Sequence, residues 1–319
     1  YTAVRIGLSA TPQGRQVFIP QPKAEKLFRK NITPPPRLFE KYCAIFVLHF
    51  GSKPIRNAPL DKTEPQNMKK ILMLTLGLLA ATAISAQTQV IAHRGYHAKS
   101  GSYDNTISSL KNAQDLGIYG SECDVNETAD GVLVVIHGPM HGKLNVQQND
   151  YATVHAQALA NGERIPTLDE YLEQTAKDKA TKLIIEIKDH PTPQQETRVV
   201  KKTLAAVKKY KLQNQVEYIA FRQHVCDELV KYAPKGTKIA YLNGTLTPEY
   251  CKGLGYTGID YNIGTMKKRP EWIKQCHDLG LTVNVWTVND TENLQWCIDN
   301  GVDYITTDNP VEAKRLLGK

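Results

Sequence analysis

Two histidines end apolar runs of the chain and could carry acid–base chemistry. The stretch QVIAHRG at residues 89–95 closes with His93, Arg94 and a glycine, and the run VLVVIH closes with His137. An imidazole titrates near neutral pH and serves as a general acid or base, whereas a guanidinium offers a planar fork of donors to phosphate oxygens. One such histidine alone is more often structural, but two of them beside an arginine indicate proton transfer at a bound phosphate.

Charged residues also alternate within two further apolar runs. Glu122 and Asp124 are two residues apart in SECDV, and LIIEIK contains Glu186 and Lys188 at the same spacing. Side chains at i and i+2 of a strand share one face, so each pair should point the same way, with Cys123 toward the packed side. Two carboxylates so close together need a positively charged partner to neutralise them. Ca²⁺ and Mg²⁺ can do this, because both prefer oxygen ligands. We expect the three carboxylates to bind one divalent cation; the alternative is an internal salt bridge such as Lys188 with Glu122.

The elements that must position these side chains are nine strand-like runs alternating with helix-like segments. Val/Ile-rich strands separated by helices are typical of a parallel sheet covered by helices, and about eight such units in this length favour a single-domain (β/α)8 TIM barrel. In such barrels the active site lies at the C-terminal ends of the strands. The predicted strands are 90–93, 120–125, 132–137, 183–188, 216–220, 238–242, 258–261, 282–287 and 304–307, and the predicted helices are 106–116, 168–175, 193–210, 225–232, 271–279 and 291–300.

The basic character of the chain belongs to its N-terminal part. The whole sequence has a net charge of +8, yet residues 1–86 hold 13 Lys and Arg against 4 Asp and Glu, and residues 87–319 hold 27 against 28. A nearly neutral domain gives no reason to expect nucleic acid as a partner. The sequence also contains no Walker motif and no GxGxxG after the first strand, so neither nucleotide-binding motif is present.

A signal-peptide pattern occupies residues 68–86. Met68 is followed by two lysines, about a dozen apolar residues and small residues around Ala86. The apolar run is shorter than the roughly 20 residues of a spanning helix, so we expect cleavage and an exported bacterial protein, periplasmic or secreted, with no stable membrane insertion afterwards. Residues 1–67 are expected to be read-through upstream of a start at Met68, and the alternative is a disordered extension.

Five of the six cysteines follow residue 86, at wide spacings and without a CxxC pair. This pattern indicates neither a zinc site nor a disulfide framework, so we expect free cysteines in the core, with one or two disulfides as the alternative. These five are Cys123, Cys226, Cys251, Cys276 and Cys297.

Taken together, the motifs resemble the glycerophosphodiester phosphodiesterase family over residues 90–317. The matching pieces occur in the family's order and are specific as a set, although each is weak alone. They are IAHRG at 91–95, DNT at 104–106, SECDV at 121–125, DGVLVVIH at 130–137, RIPTLDEYL at 164–172, LIIEIK at 183–188, VNVWTVN at 283–289 and NGVDYITTDNP at 300–310. The resemblance implies a TIM barrel, a divalent metal (Ca²⁺ or Mg²⁺), and hydrolysis of glycerophosphodiesters to sn-glycerol 3-phosphate and an alcohol.

The resemblance also implies a role for each matching residue. His93 and His137 match the family's acid–base pair, and the three carboxylates match its metal ligands. Arg94 and Lys188 match its phosphate contacts, while Trp286 stands where the family places an aromatic ring against glycerol; ordinary core packing is the alternative for Trp286. Catalysis in such enzymes is thought to begin with attack of the substrate's own glycerol hydroxyl on phosphorus, which gives a cyclic phosphate that water opens.

The chain departs from the family pattern at two places. It has Tyr103-Asp104-Asn105-Thr106 where Pro-Glu-Asn-Thr is common, and Gly138 follows His137 where the family commonly has Asp. The second change puts the alcohol specificity in doubt, and His97 and His141 near the site are interpreted as surface loop residues. Two alternatives therefore stand beside the leading function: a lipid-directed phospholipase-D-like or lysophospholipid phosphodiesterase on the same barrel, and a non-catalytic phosphodiester-binding protein.

Overall fold

The computed structural model describes residues 87–319. The predicted extension (1–67) and the predicted signal peptide (68–86) lie outside the described residues. Within the described part, no helix is both long and apolar enough to cross a membrane.

Eleven strands are present in the described part of the chain, and eight of them form a closed parallel barrel. The barrel order is β1, β2, β6, β7, β8, β9, β10, β11, and β11 pairs with β1 to close the ring. The predicted TIM barrel is confirmed. In chain order the strands are β1 Gln89–Ala92, β2 Gly120–Glu127, β3 Leu133–Val135, β4 Met140–His141, β5 Leu144–Asn145, β6 Lys182–Ile187, β7 Val216–Ala220, β8 Ile239–Tyr241, β9 Gly258–Asn262, β10 Thr282–Trp286 and β11 Tyr304–Thr307.

Helices follow the barrel strands and pack on the outside of the sheet. Their apolar faces join one large core cluster with the outward-facing strand residues, as the alternation of the sequence predicts. In chain order the helices are α1 Ile107–Leu116, α2 Tyr151–His155, α3 Leu168–Thr175, α4 Pro193–Lys209, α5 Gln223–Tyr232, α6 Pro248–Gly253, α7 Ile263–Lys268, α8 Glu271–Asp278, α9 Thr291–Asp299 and α10 Pro310–Leu316, with a 3₁₀ turn at Val146–Gln148.

Three helices begin with a capping box that the sequence encodes. The hydroxyl of Thr106 accepts from the backbone N–H of Ser109, and the Ser109 hydroxyl accepts in return from the N–H of Thr106. Thr167 starts α3 and Thr192 starts α4 in the same way, with Glu170 and Gln195 as partners. Each N-cap contributes about 1 kcal/mol and fixes where its helix begins. This is why the predicted starts of these helices agree with the structure to within a residue.

The strand that ends at His137 is not a barrel strand, which corrects one sequence-based interpretation. β3 pairs antiparallel with the part of β2 that extends beyond the barrel, with Val125 opposite Val135. β2 therefore leaves the mouth and β3 returns toward it. His137 reaches the site from this return hairpin rather than from the C-terminal end of a parallel strand.

The inward-facing side chains fill the barrel in layers. At the N-terminal end, Lys238 Nζ lies 2.9 Å from Glu217 Oε1 and 3.0 Å from the hydroxyls of both Tyr119 and Tyr304. Above this closed polar set comes an aliphatic layer, and the mouth lies above that. The aliphatic layer consists of Ile91, Ile184, Ile219 and Leu242. The barrel is thus packed below its mouth and leaves room for a ligand only at the C-terminal end.

The five cysteines of the described chain are free and buried, which confirms the sequence-based expectation. Cys123 belongs to the core cluster outside the barrel, on the side opposite to Glu122 and Asp124. The i, i+2 argument for β2 therefore holds for both faces of the strand.

Candidate active site

A cavity of about 100 Å³ lies at the C-terminal ends of the barrel strands. Seven of the eight site residues predicted from the sequence line it, and the eighth, Asp124, contacts two of them. The lining residues are His93, Arg94, Glu122, His137, Glu186, Lys188, Ile219, Phe221, Leu242, Asp260, Trp286, Thr287 and Thr306.

The turn after β1 holds Arg94 in an unusual backbone conformation. Arg94 has φ of 53°, a left-handed value that non-glycine residues rarely adopt. Its backbone N–H donates to Glu122 Oε2 at 2.8 Å, and its carbonyl accepts from the N–H of Asn105 at 3.0 Å. At Gly95 an added Cβ would lie 2.4 Å from the Ser109 hydroxyl oxygen, so only glycine fits. The HRG sequence therefore lets α1 pack close against the strand end.

Three carboxylates from β2 and β6 meet at the cavity. Oxygens of Glu122, Asp124 and Glu186 all lie within 4.8 Å of one another, and each side chain is buried. Lys188 Nζ lies 2.6 Å from Glu186 Oε1 and 3.2 Å from Asp124 Oδ1. Arg94 Nε approaches Asp124 Oδ2 at 3.5 Å. The salt bridges given as the alternative to a metal site are thus present in part, but Lys188 pairs with Asp124 and Glu186 rather than with Glu122.

The protonation of the three carboxylates differs because the cations are shared unequally. Burial, together with the charges of Asp124 and Glu186, raises the pKa of Glu122 well above its usual value. Burial also raises the pKa of Glu186, to about 8. For Asp124 the charge of Lys188 and the hydrogen bond from Asn105 outweigh burial, so its pKa lies below the usual value. The three carboxylates outnumber the two positively charged side chains beside them, Arg94 and Lys188. Glu122 is stabilised little by Lys188, so the cluster needs one further cation to be neutralised.

The carboxylate cluster fits a hard divalent cation. Glu122 Oε1 is buried and has no hydrogen-bond partner among the described residues. An unpaired buried carboxylate oxygen costs free energy unless a ligand compensates it, and Ca²⁺ and Mg²⁺ take oxygen donors of this kind. The donor chemistry and the unpaired oxygen are therefore compatible with a bound divalent metal.

His93 is held by an aspartate that the sequence analysis did not select. Its Nδ1 lies 2.7 Å from Asp308 Oδ1, and His97 Nε2 lies 3.0 Å from the same oxygen. The other oxygen, Asp308 Oδ2, accepts from Asn289 Nδ2 at 2.6 Å. Although burial alone would raise it, these hydrogen bonds hold the pKa of Asp308 well below its usual range. Asp308 therefore carries a negative charge beside His93, and His97, which was interpreted as a surface loop residue, is partly buried and shares this carboxylate.

His137 faces the same cavity in a more positive environment. Partial desolvation lowers the pKa of His137, and the nearby charges of Arg94 and Lys188 lower it further against the opposing effect of Asp124. His137 is therefore neutral near pH 7. The two histidines thus differ in their surroundings: His93 contacts a carboxylate directly, whereas His137 lies nearer to cations.

Asn105 fixes the orientation of Asp124, one of the three candidate metal ligands, through two hydrogen bonds. Its Nδ2 donates to Asp124 Oδ2 at 2.8 Å, and its Oδ1 accepts from the Asp124 backbone N–H at 3.0 Å. Asn105 also has a left-handed φ of 58°. Its neighbour Asp104 lies 3.3 Å from Arg94 Nη1, so the carboxylate that departs from the family pattern still contacts the arginine. The DNT motif at residues 104–106 is one of the pieces that resemble the family, but no spacing in the sequence predicts that Asn105 contacts Asp124 or that Asp104 contacts Arg94.

The opposite wall of the cavity is largely apolar. Phe221 and Trp286 meet edge to face with ring centroids 5.4 Å apart, and Ile219 and Leu242 lie beside them. The indole N–H of Trp286 donates to the backbone carbonyl of Asp260 at 2.9 Å, which fixes the ring. The wall presents aromatic and aliphatic surface to any ligand held by the charged side.

Comparison with known proteins agrees with this geometry. The model of the Glycerophosphoryl diester phosphodiesterase family matches residues 93–312. A curated protein of Caldanaerobacter subterraneus subsp. tengcongensis named glycerophosphodiester phosphodiesterase is 30% identical over 249 residues, which cover 73% of this chain and 99% of that protein.

Solved structures give the same result. A glycerophosphodiester phosphodiesterase from Parabacteroides distasonis superposes with a TM-score of 0.72 at 42% identity, covering 73% of this chain and 98% of that chain. A phosphodiesterase from Oleispira antarctica, solved in complex with the product sn-glycerol-3-phosphate, superposes with a TM-score of 0.64 at 19% identity and covers 73% and 98% of the two chains. The second likeness supports the fold alone.

Proposed function

Because the chain belongs to the glycerophosphoryl diester phosphodiesterase family, we propose that it hydrolyses glycerophosphodiesters to sn-glycerol 3-phosphate and an alcohol. The strongest support is the meeting, around one cavity, of two histidines, two positively charged side chains and a cluster of three carboxylates. This set supplies what phosphodiester cleavage needs: an anion site, an acid and a base. The substrate is a small molecule, and the phosphate binds on the charged side with the glycerol toward Trp286.

One divalent cation, Ca²⁺ or Mg²⁺, completes the site in this proposal. Glu122, Asp124 and Glu186 would hold it, and it would supply positive charge that stabilises the phosphoryl oxygens. Lys188 and Arg94 bring two fixed positive charges to the same side of the cavity. Asn105 keeps Asp124 oriented through its paired hydrogen bonds.

The two histidines divide acid and base roles according to their neighbours. His137, neutral near pH 7, takes the proton of the attacking glycerol hydroxyl. His93, whose Nδ1 is held by the adjacent Asp308 carboxylate, donates a proton to the leaving alcohol oxygen. The phosphorus–oxygen bond to the alcohol breaks as the bond to the glycerol hydroxyl forms, and water then opens the cyclic phosphate. Asp308 is a positioning residue, since it contacts His93 and is not among the residues that line the cavity.

The proposal is tested by turnover of glycerophosphocholine and glycerophosphoethanolamine, with sn-glycerol 3-phosphate release as the readout. Activity should disappear in EDTA, return with Ca²⁺ or Mg²⁺, and be lost in His93→Ala. The matched control is His277→Ala, because His277 forms a similar pair with Asp303 (3.0 Å) away from the cavity. Turnover of lysophosphatidylcholine in preference to both substrates would favour the lipid-directed alternative, and no turnover with any metal would favour a binding protein.

Export remains a second proposal, which rests on the sequence pattern of residues 68–86 alone. We propose that the chain is cleaved near Ala86 and acts outside the cytoplasm. Determining the N-terminus of the protein isolated from its source checks this directly. A mature N-terminus near residue 87 is expected, and any peptide from residues 1–67 would contradict the start at Met68.

A further inference from the structure

The apolar wall of the cavity contains one acidic residue to which no role has been assigned. Asp260 is 1% exposed and lines the cavity together with Trp286 and Leu242. Its position on β9 faces inward, opposite Asn284 of β10 and one layer below Trp286. A carboxyl group buried there must either have a structural partner or meet a ligand.

Structural partners account for only one of the two oxygens of Asp260. Oδ2 accepts from Asn284 Nδ2 at 3.0 Å, and the same amide group donates to the Thr306 hydroxyl at 2.9 Å. Oδ1 is buried and has no hydrogen-bond partner among the described residues. Asn284 thus anchors one side of the carboxyl group and leaves the other free. A buried acceptor left in this way costs free energy unless a ligand or water meets it.

The surroundings of Asp260 also distinguish it from the metal-site carboxylates. Burial raises the pKa of Asp260 to about 7, and the only opposing effect is the hydrogen bond from Asn284. No described cation contributes, in contrast to Asp124 with Lys188. Such a carboxyl is a good partner for a hydroxyl group, which can donate to its ionised form and accept from its protonated form. It repels a phosphate, so the phosphate belongs on the other side of the cavity.

We propose that Asp260 recognises the terminal hydroxyl of the substrate's glycerol and thereby selects glycerol over diols that lack this group. The inference rests on the proposed function. Glycerol esterified at one end has two free hydroxyls, and attack on phosphorus uses the one next to the ester. The other hydroxyl then lies against the wall formed by Trp286, Phe221 and Leu242, where it needs a polar partner. Asp260 Oδ1 is a buried, unpaired polar atom on that wall.

The test compares two substrates that differ only in this hydroxyl: glycerophosphocholine and the phosphocholine diester of propane-1,2-diol. The second keeps the attacking hydroxyl and lacks the terminal one. The wild-type protein should prefer the first by roughly 10- to 100-fold in kcat/KM, because the deoxygenated substrate leaves Asp260 unpaired. In Asp260→Ala the preference should fall to within about threefold, mainly through a lower kcat/KM for glycerophosphocholine.

Two further variants separate recognition from folding. Asp260→Asn keeps an acceptor for Asn284 and a polar atom toward the cavity, so it should fold and show an intermediate preference; it decides the matter if Asp260→Ala is unfolded. Glu228→Gln is the matched control, because Glu228 is a buried acid on α5 that pairs with Lys231 at 3.2 Å away from the cavity. It should keep the full preference.

Each result has one meaning. Equal losses on both substrates in the Asp260 variants would make the residue structural and overturn the inference. A second contrary result is that the Asp260 variants lose activity on glycerophosphocholine but keep it on glycerophosphoglycerol, which lacks choline. This result would place the choline ammonium at Asp260 and would also overturn the inference. If the wild-type protein turns over neither the phosphocholine substrates nor glycerophosphoethanolamine, the proposed function itself fails, which is distinguishable from turnover with an unchanged preference in the variants.

Discussion

The two sides of the barrel mouth differ sharply in charge. The side formed by β1, β2, β6 and the return hairpin carries two histidines, three carboxylates and the positively charged side chains of Arg94 and Lys188. The histidines are His93 and His137. The side formed by β7 to β10 carries Phe221, Leu242, Trp286 and a single acid, Asp260. Charges buried together neutralise one another, whereas a lone buried acid is pushed toward its neutral form.

This difference matches the chemistry of the proposed substrate. A glycerophosphodiester has one anionic centre, where bonds break, and an uncharged glycerol arm that must be held. The charged side suits the first and the apolar side suits the second. We therefore expect residues on the charged side to control the chemical step, measured by kcat. Residues on the apolar side should control KM and substrate choice.

The largest expected effect comes from removing either histidine on the charged side. His93→Ala and His137→Ala should each lower kcat by roughly 10²- to 10⁴-fold, the usual contribution of a general acid or base. Steady-state kinetics with glycerophosphocholine measures this, and His277→Ala should leave kcat unchanged. If either variant raised KM without lowering kcat, the division between chemistry and recognition would be wrong at that residue.

A smaller loss is expected at Asp308, which acts through His93. Asp308→Asn replaces the carboxylate that contacts His93 Nδ1 by an amide, so the imidazole is held less firmly in its orientation and kcat should fall by about 10- to 100-fold with little change in KM. A purely structural role would lower thermal stability together with kcat, whereas a positioning role should lower kcat at an unchanged melting temperature, so steady-state kinetics and a melting curve together decide between the two.

On the apolar side, Trp286→Ala should raise KM about tenfold and change kcat by less than roughly threefold. The loss follows from removing a ring that packs against Phe221 and lines the apolar side of the cavity. Trp286→Phe keeps an aromatic surface and should be intermediate. A fall in kcat comparable to that of the histidine variants would contradict the comparison of the two sides.

The smallest expected effect is on the free energy of unfolding, and its pH dependence reports on Asp260. The pKa of Asp260 is raised to about 7 in the folded protein, so the folded state keeps a proton that the unfolded state loses near pH 4. Between these two values the free energy of unfolding falls as pH rises, by at most about 1.4 kcal/mol per pH unit for one group. Asp260→Asn should flatten this fall in the metal-free protein.

Urea denaturation at several pH values between 4 and 8, in EDTA, measures the slope. Glu186, whose pKa is raised to about 8, should contribute a similar fall in both proteins. The difference between wild type and Asp260→Asn is therefore the quantity to compare. Identical slopes in the two proteins would show that Asp260 is already ionised when folded.

Much of the fold follows from local patterns. Alternating Val/Ile-rich strands and helices predicted the barrel, and the capping boxes at Thr106, Thr167 and Thr192 explain why helix starts were predicted closely. The short helices α2, α6, α7 and α10 were not predicted, because five to seven residues show too little periodicity. The site residues that were predicted share one property: each ends, or alternates within, a strand-like apolar run.

The residues that were missed depend on contacts between distant parts of the chain. Asp308 meets His93 across 215 positions of sequence, at the point where β11 closes the barrel beside β1. Asp260 looked like an ordinary residue of GIDYN until the barrel showed one of its oxygens to be buried without a partner. The route of His137 to the site, by a hairpin and not by a barrel strand, likewise required the register of β3 on β2.

By itself, the sequence determined the alternation of strands and helices and the face on which Glu122, Asp124, Glu186 and Lys188 stand. Both depend on spacings of a few residues, which the periods of strands and helices convert directly into direction. Only the tertiary structure decided which charges are neutralised and which remain unpaired. Pairing depends on distances of about 3 Å between residues far apart in sequence, and those distances are set by closure of the barrel and packing of its loops.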